Sequence, residues 1–312
     1  MCGSLDIKKF GKTKQHKQRF RCRQCHKTFV WEEPHVKKHN EQRWFKLWIT
    51  ESYSVRRLCQ LSGYSRAKLQ RINQYWLSQE PPKGSIDLSE YTYLIYDGTY
   101  FHRDGCLICL MDTPSQKIIA NIYTDREGFK STHPWFNDLK WKGLNPDAIA
   151  MDGEISVMRA IQMTWPRIKL QRCLYHIQRE GMRWLRSQPK TRAGAELRIL
   201  LGTLCCVKNI KERNAFVKNY RQWVNKYSAF IAELPKTNIA LKDLKRTVTL
   251  INNALPDMFR YLMNPLLPAT TNILESFYSR LKADYRRHRG LSQNNKISYL
   301  KWYCHCKNSN TL

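Results

Sequence analysis

Two apolar segments of this chain each end in an aspartate followed by a glycine. One is LIYDG, which carries Asp97, and the other is IAMDG, which carries Asp152. A strand that ends in this way places a carboxylate at the rim of a sheet, where α/β proteins bind their ligands. Asp-Gly is also a common turn dipeptide. Two of them within one α/β unit nevertheless favour a shared divalent cation, because carboxylate oxygens bind Mg²⁺ and leave positions open for phosphate.

A third carboxylate is needed to hold two metal ions about 4 Å apart. Glu275 lies in the first turn of a predicted helix, TNILESFYSRLK, among apolar neighbours. A carboxylate on such a face is either paired or a metal ligand, or it only stabilises the helix N-terminus, which Thr271 or Asn272 caps. The best rival carboxylate is Asp112, which ends a strand but precedes Thr-Pro and is typical of a hairpin turn.

Cysteines form the other group that could bind a metal. Cys22 and Cys25 stand as a Cys-x-x-Cys pair in FRCRQCHKTF. One pair supplies half of a tetrahedral structural zinc site, which takes four thiolate or imidazole ligands. The aromatic and cysteine content of this stretch favours a folded segment over a solvated basic tail.

Composition points to a polyanionic partner. The 312 residues carry a formal net charge of +29, with 54 Lys and Arg against 25 Asp and Glu. Such a charge favours nucleic acid first and an anionic membrane surface second. No apolar run reaches the roughly 18 residues of a membrane span and no signal sequence is evident, so we expect a cytoplasmic or nucleoid protein without a membrane partner. The 11 cysteines are then reduced, and some are metal ligands or buried thiols.

Residues 38 to 80 have helical spacing of apolar residues, interrupted by SGYS. Gly63 suits a tight turn, and Ser65 can cap the helix that follows. A helix, a glycine turn and a basic helix predict a helix-turn-helix, whose second helix enters the major groove; an ordinary helical hairpin is the alternative. The side chains that we expect to face DNA are Arg66, Lys68, Arg71 and Asn73.

From residue 90 the pattern changes to short apolar strands followed by alternating helices and strands. Three strands and then β-α-β-α predict an α/β domain with a mixed sheet. Residues 191 to 262 are nearly all helical in pattern.

Four motifs in this order resemble the DDE transposases of the Mutator-like group and their bacterial insertion-sequence relatives. They are YDGT at Asp97, AMDG at Asp152, RCLYH with Cys173 and His176, and TNILESFYSRLK around Glu275. The resemblance implies a ribonuclease H-like fold with Asp97 on the first strand, Asp152 after the fourth and Glu275 on a late helix. It also implies a helical insertion before that helix. The implied cofactors are two Mg²⁺ or Mn²⁺ ions, one activating the attacking oxygen and the other stabilising the leaving oxygen.

Within RCLYH, the Cys-x-x-His spacing resembles a signature of the same group. We expect His176 to face the active site or DNA and Cys173 to pack beneath it; a buried cysteine with a surface histidine is the alternative.

The start of the chain resembles the zinc ribbon that opens related transposases, with Cys2 in the place of the second cysteine of the first pair. Cys2, Cys22 and Cys25 are then three ligands of an incomplete Zn²⁺ site. We expect the first cysteine upstream of Met1 or lost, and no spacing argument favours His16 or His26 as a substitute.

The resemblance and the patterns together predict six segments. These are a truncated zinc ribbon (1–37), a helix-turn-helix domain (38–80), a linker (81–89), the first part of the ribonuclease H-like domain (90–190), a helical insertion (191–262), and the catalytic helix with a basic tail (263–312). In that tail, YRRHRG is expected to grip the DNA backbone through Arg286, Arg287 and Arg289.

The sequence therefore predicts a DNA transposase that binds the inverted repeats of an insertion sequence, cuts the DNA and joins it to a target. Because two DNA ends must be held together, we expect a homodimer or larger assembly. A decayed transposase that only binds DNA is the alternative, and a nuclease of the same fold acting on RNA–DNA hybrids or junctions is a third. A tyrosine recombinase is disfavoured, since it leaves the carboxylates without a role.

Overall fold

The computed structural model describes residues 2–14, 16–31, 34–82, 87–101, 104–233, 235, 237–288 and 290–308. The chain divides into two compact units, Met1–Glu80 and Pro81–Leu312. The division falls at the start of the predicted linker, where EPPKGS favours a break. Among the described residues, none of the helices combines the length and the apolarity that crossing a membrane requires.

The N-terminal unit contains a small antiparallel sheet and then three helices. Its strands, paired in the order β1-β2-β3, are β1 (Ile7–Lys12), β2 (Gln18–Cys22) and β3 (Thr28–Val30), and its helices are α1 (Pro34–Thr50), α2 (Val55–Ser62) and α3 (Arg66–Leu77). The turn chemistry between α2 and α3 is as expected. Gly63 has a left-handed φ of +69°, which suits glycine, and the Ser65 side chain accepts a hydrogen bond from the backbone N–H of Lys68.

The second unit is built on a five-stranded mixed sheet, as the sequence pattern predicts. Its strands are β4 (Tyr93–Tyr100), β5 (Cys106–Asp112), β6 (Ile118–Thr124), β7 (Ala148–Met151) and β8 (Lys169–Arg172). The order across the sheet is β6-β5-β4-β7-β8. The first three strands pair antiparallel, whereas β7 runs parallel to β4 and β8 parallel to β7.

Helices surround this sheet and continue beyond it. They are α4 (Phe129–Trp141), α5 (Ile155–Thr164), α6 (Leu174–Leu185), α7 (Arg192–Gly202), α8 (Ile210–Glu233), α9 (Ile239–Ala254), α10 (Asn272–Tyr285) and α11 (Gln293–Asn308). One hydrophobic core lies between the sheet and α4 and α5, with Tyr96, Phe136 and Ile161 among its members. A second core joins α6 to α7, α8 and α9. We call α6 to α9 the helical block, because α6 shares that core with the predicted insertion.

One boundary differs from the expectation in a way that matters for the site. The sequence predicts that the first strand ends at Asp97 and Gly98, but β4 continues to Tyr100. The reason is its antiparallel neighbour: β5 pairs with β4 as far as Tyr100 opposite Cys106, whereas the parallel pairing with β7 ends at Ile95 opposite Ala150. Asp97 therefore lies inside β4. At its position β4 still pairs with β5, but the pairing with β7 has already ended.

Candidate active site

The register of two neighbouring strands brings the predicted aspartates together. Ile95 of β4 pairs with Ala150 of β7. Asp97 and Asp152 each lie two residues beyond this pair, one on β4 and one just after β7, and the charge of Asp152 acts on Asp97. Both carboxylates then occupy the same sheet edge, as the Asp-Gly pattern predicts.

Asp97 is buried, with 8% of its surface exposed. The backbone N–H of Gly98 donates a 2.9 Å hydrogen bond to its Oδ1. Burial raises the pKa of the Asp97 carboxyl well above its ordinary value, and the charge of Asp152 adds to this. Glu275 acts in the same direction, whereas His176 and the Gly98 N–H lower this pKa. These electrostatic effects identify the three carboxylates and the histidine as one cluster.

Asp152 follows β7 and is held by backbone and side-chain contacts. Its Oδ1 accepts a 3.1 Å hydrogen bond from the N–H of Glu154, and its carbonyl oxygen accepts a 3.3 Å bond from Nε of Arg172. The Arg172 side chain crosses the next residue so closely that a Cβ atom at Gly153 would lie 1.9 Å from its Nε. Gly153 also has a φ of +97°, which other residues rarely adopt. The second Asp-Gly therefore needs its glycine for two reasons.

Glu275 comes to this edge of the sheet because α10 is tied to β4. The hydroxyl of Tyr278 donates a 2.6 Å hydrogen bond to the carbonyl oxygen of Asp97. Glu275 precedes Tyr278 by three residues, so the two side chains lie on the same face of the helix. The buried Oε1 of Glu275 lies 3.3 Å from Nε2 of His176 without forming a hydrogen bond.

The Cys-x-x-His pair lies at the N-terminus of α6. Cys173 is fully buried, and its sulfur accepts hydrogen bonds from the backbone N–H and the hydroxyl of Thr271, at 3.4 and 3.5 Å. Burial lowers the pKa of His176, but Cys173 and the carboxylates of Glu275 and Asp152 outweigh it, so the pKa lies above that of free histidine. The structure thus places His176 against the carboxylates and Cys173 beneath it.

Two residues at the site escaped the sequence analysis, Arg172 and Glu127. Glu127 follows β6, and its Oε1 accepts a 2.6 Å hydrogen bond from the hydroxyl of Tyr96. A Cβ atom at Gly98 would lie 2.8 Å from its Oε2, so this glycine makes room for a fourth carboxylate. Burial raises the pKa of Glu127, and the charge of Asp152 adds to that. A signal existed in the sequence, because Glu127 is also an acid after a strand and before a glycine.

The donors of the cluster suit a divalent cation. Carboxylate oxygens are hard ligands of the kind that Mg²⁺ and Mn²⁺ take. The unsatisfied, buried Oε1 of Glu275 is costly unless a cation or donor meets it. The rival Asp112 does not belong to this cluster: its Oδ2 accepts hydrogen bonds from the backbone N–H and the hydroxyl of Ser115, as expected in a hairpin turn.

The N-terminal cysteines also come together. In the described part of the chain, Cys2, Cys22 and Cys25 are the one set of three or more potential ligands whose ligand atoms all lie within 4.8 Å of one another. The sulfurs of Cys2 and Cys22 are 3.6 Å apart, and the N–H of Cys25 lies 3.5 Å from the Cys22 sulfur. That N–H and its neighbours lower the pKa of Cys22 to about 7, which favours the thiolate that zinc binds. Neither His16 nor His26 belongs to this group of ligands.

The residues expected to face DNA on α3 do not all do so. Arg66 and Arg71 are exposed, and the ammonium of Lys68 lies 3.5 Å from the ring centroid of Tyr64. Asn73 is only 7% exposed, which corrects the expectation that it faces DNA. It lies four residues from both Leu69 and Leu77, which are buried, so the helical period places it on the apolar face of α3.

The basic tail follows α10 directly. Arg286 and Arg287 are exposed in a short 3₁₀ helix, Arg286–His288, whose last residue is buried. Arg289, the third predicted backbone contact, lies outside the described residues.

Comparison with known proteins identifies the family of this chain. The family model described as "Transposase, Mutator family" matches residues 85–291, which include every carboxylate of the cluster. A curated relative, "Transposase for insertion sequence element IS6120" of Mycolicibacterium smegmatis, is 26% identical over 128 residues. The match covers 38% of this chain and 40% of the relative, so the chain spans less than half of that relative's length. On the extent of the family match, the chain belongs to the Mutator family of transposases.

Proposed function

We propose that this chain is a DDE-type transposase whose ribonuclease H-like domain cuts the ends of an insertion sequence and joins them to target DNA. One observation carries the proposal: Asp97 and Asp152 each lie two residues beyond the paired Ile95 and Ala150 of adjacent parallel strands, and the hydroxyl of Tyr278 on α10, three residues after Glu275, bonds to the Asp97 carbonyl. The strand order β6-β5-β4-β7-β8 supports the proposed fold. In this sheet β6, β5 and β4 pair antiparallel, and β7 and β8 continue it in parallel.

Asp97, Asp152 and Glu275 would hold two Mg²⁺ or Mn²⁺ ions. The ions would supply activation of the attacking oxygen, first of water and then of a DNA 3′-hydroxyl, and stabilisation of the leaving oxygen.

The other residues of the cluster fix these carboxylates before DNA arrives. The Gly98 N–H orients Asp97, and the Arg172 guanidinium braces the turn after Asp152. Nε2 of His176 lies 3.3 Å from Oε1 of Glu275, and the pKa of His176 is raised above that of free histidine, so its charged form faces the carboxylate more often. Such preorganisation matters because phosphoryl transfer depends mainly on positioning and electrostatics.

The N-terminal unit is proposed to recognise the inverted repeats. Helices α2 and α3 would act as a helix-turn-helix that presents Arg66 and Arg71, and the three cysteines would hold Zn²⁺ with a fourth ligand. In the second unit, Arg286 and Arg287 would contact phosphates near the active site. The complex would contain at least two copies of the chain, because two DNA ends are joined in one event.

A protein that binds DNA without cutting it is the second candidate function. The observation that favours it is the thiol cluster, which has three of the four ligands of a structural zinc site among the described residues. Decay of the ribbon would accompany decay of the enzyme.

Strand transfer separates the two functions. A precut duplex from the element's own end is mixed with a plasmid target and Mn²⁺, using the wild-type chain, Asp97→Asn and Asp112→Asn. We expect joined products that fall by about 10³-fold in Asp97→Asn, equivalent to the several kcal/mol that metal-assisted catalysis supplies. Asp112→Asn is the matched control and should retain activity within a few-fold.

Two results would contradict the transposase proposal. Equal loss in both variants would remove the assigned role of Asp97. A wild-type chain that binds the duplex but joins none of it would favour the DNA-binding alternative.

A further inference from the structure

A basic groove runs along the helical block, beginning next to the active site. It lies between α6 and α7 and encloses a cavity of about 420 Å³. Its lining includes four arginines and no acidic residue; the arginines are Arg179, Arg183, Arg186 and Arg198. We call this surface the α6 groove.

The groove follows one face of α6. Tyr175, Arg179, Arg183 and Arg186 succeed one another at intervals of three or four residues, so their side chains fall on one side of the helix. Tyr175 directly precedes His176, whose Nε2 lies 3.3 Å from Glu275. With a rise of about 1.5 Å per residue, Arg186 stands roughly 16 Å beyond Tyr175. The groove therefore extends away from the carboxylates over roughly 16 Å. This length matches about five base pairs of duplex DNA, which rise roughly 3.4 Å each.

The charges of the groove are only partly balanced. Arg183 pairs with Glu180, and Arg186 lies 3.4 Å from Asp243, which also binds Arg246 at 2.7 Å. One carboxylate thus serves two arginines.

Two further arginines of the groove make contacts of other kinds. Arg198 donates a 2.6 Å hydrogen bond to the carbonyl oxygen of Met182, and the Arg179 guanidinium lies 5.5 Å from the ring centroid of Tyr175. Neither of them lies within 4 Å of a carboxylate oxygen in the described residues. The surface keeps a net positive charge.

A second cavity of the same helical block shows that this charge is local. It measures about 410 Å³ and lies between α7 and α8. Its charged side chains, Glu196 and Lys226, pair with each other at 2.8 Å, and the exposed Ile199 lines it too. High overall basicity therefore does not make every groove of the block cationic.

We propose that the α6 groove binds the phosphate backbone of duplex DNA over roughly five base pairs beside the scissile phosphate. Guanidinium groups match phosphate oxygens in charge and geometry. Such contacts position DNA without selecting its sequence. The proposal rests on the proposed function for the location of the scissile phosphate, and the duplex in the groove is either the element's end or the target.

The test measures the salt dependence of DNA binding in EDTA, where no strand transfer is possible. Two short duplex probes are used, the element's end and an unrelated sequence. The groove variant is Arg179→Ala with Arg198→Gln, and the matched control is Lys218→Ala with Arg221→Ala, which removes the same charge from exposed positions of α8. Each phosphate contact contributes about 0.9 to the slope of log K against log salt concentration. We expect the groove variant to lose nearly two units of slope on one probe, and the control almost none.

The probe that shows the effect identifies the DNA in the groove. A loss of slope with the element's end would place that end in the α6 groove. A loss of slope with the unrelated duplex alone would place the target DNA in the groove. Ethylation interference on the affected probe should weaken at phosphates within about five base pairs of the cleavage point. Arg179→Ala alone keeps the proposal testable if loss of the Arg198 bond unfolds the chain, because the Arg179 guanidinium lies over the ring of the exposed Tyr175 and, among the described residues, pairs with no carboxylate.

Equal slopes for the groove variant and the wild-type chain on both probes would overturn the proposal. An equal loss in groove and control variants would also overturn it, because general charge would then explain the binding. Neither outcome depends on catalysis, so failure of strand transfer alone bears on the proposed function and leaves the groove's role intact.

Discussion

The carboxylate cluster of the second unit and the thiol cluster of the N-terminal unit hold potential metal ligands in opposite ways. Asp97 is buried in the central strand of a five-stranded sheet, and Glu275 is brought to it by a helix from far along the chain. Of the thiols, Cys22 ends strand β2 of a three-stranded sheet and is buried, whereas Cys2 and Cys25 lie outside its strands and are not buried. The carboxylates meet because a large core is folded, whereas two of the three thiols meet through a local Cys-x-x-Cys turn.

The electrostatic consequences differ in the same way. Burial and neighbouring charges raise the pKa of Asp97, so the fold resists its ionised form. Hydrogen bonds from a tight turn lower the pKa of Cys22 to about 7, so the local backbone favours its ionised form. At the carboxylate site, burial and repulsion between like charges oppose ionisation, and a bound cation would offset both. At the thiol site, the local backbone already stabilises the thiolate that binds a cation, and no large hydrophobic core is required.

The largest effect is expected from Gly153, the glycine beside the carboxylate cluster. Gly153→Ala must displace the buried Arg172 guanidinium and hold φ near +97°, so we expect a loss of about 3 kcal/mol of unfolding free energy. Strand transfer should fall by at least 100-fold, about 2.7 kcal/mol. Gly3→Ala beside Cys2 also has a positive φ but no atom within 4 Å, so its cost should be about 1 kcal/mol. Thermal melting and strand transfer check both; equal costs would contradict the contrast.

Removing one thiol should nearly abolish zinc binding. Cys25→Ser leaves two sulfurs, and we expect zinc affinity to fall by more than about 100-fold, since even indirect partners of a zinc site cost 10- to 100-fold. Competition with a chromophoric chelator measures the affinity. Cys59→Ser, in α2 of the same unit, is the control and should bind zinc as the wild-type chain does. An equal loss there would mean that the cluster does not hold the metal.

Asp97→Asn should raise stability in EDTA while it removes activity. A raised pKa in the folded state means that folding binds protons, so stability falls as pH rises from the unfolded carboxyl's pKa through the folded one. The wild-type chain therefore carries a penalty at pH values above the pKa of the unfolded carboxyl, and the amide carries none. Melting temperature measured across pH 4 to 8 checks this. A variant less stable than the wild-type chain at pH 7 would show that the Asp97 charge is not under strain.

The smallest effect is expected at the fourth carboxylate. Glu127→Gln keeps an acceptor for Tyr96 but removes a charge close to Gly98. We expect the Mn²⁺ concentration for half-maximal strand transfer to rise by roughly tenfold, at the low end of the 10- to 100-fold losses that outer partners of a metal site cause. Tyr96→Phe retains the charge and should leave that concentration nearly unchanged. A larger shift in Tyr96→Phe would indicate that the hydrogen bond, and not the charge, matters.

Local patterns in the sequence predicted the elements that carry the site. The apolar segments before Asp97 and Asp152 form neighbouring strands, and the turn at Gly63 and the cap at Ser65 are as expected. These features depend on the spacing of apolar side chains and on which residues tolerate a left-handed φ. Both properties can be recognised from a few adjacent residues of the sequence. The burial of Asn73 was mispredicted because the two faces of a short polar helix are hard to assign without its packing partner.

The sequence by itself determined which acids stand after strands, which glycines follow them and that the chain is strongly cationic. Only the tertiary structure decided that β4 continues past Asp97, that Arg172 crosses Gly153 and that Glu127 joins the carboxylates. It also decided that the arginines of α6 line a groove leading away from His176. Hydrophobic burial and backbone propensity act locally along the chain. Contacts between distant segments depend on how whole layers pack, which no short spacing encodes.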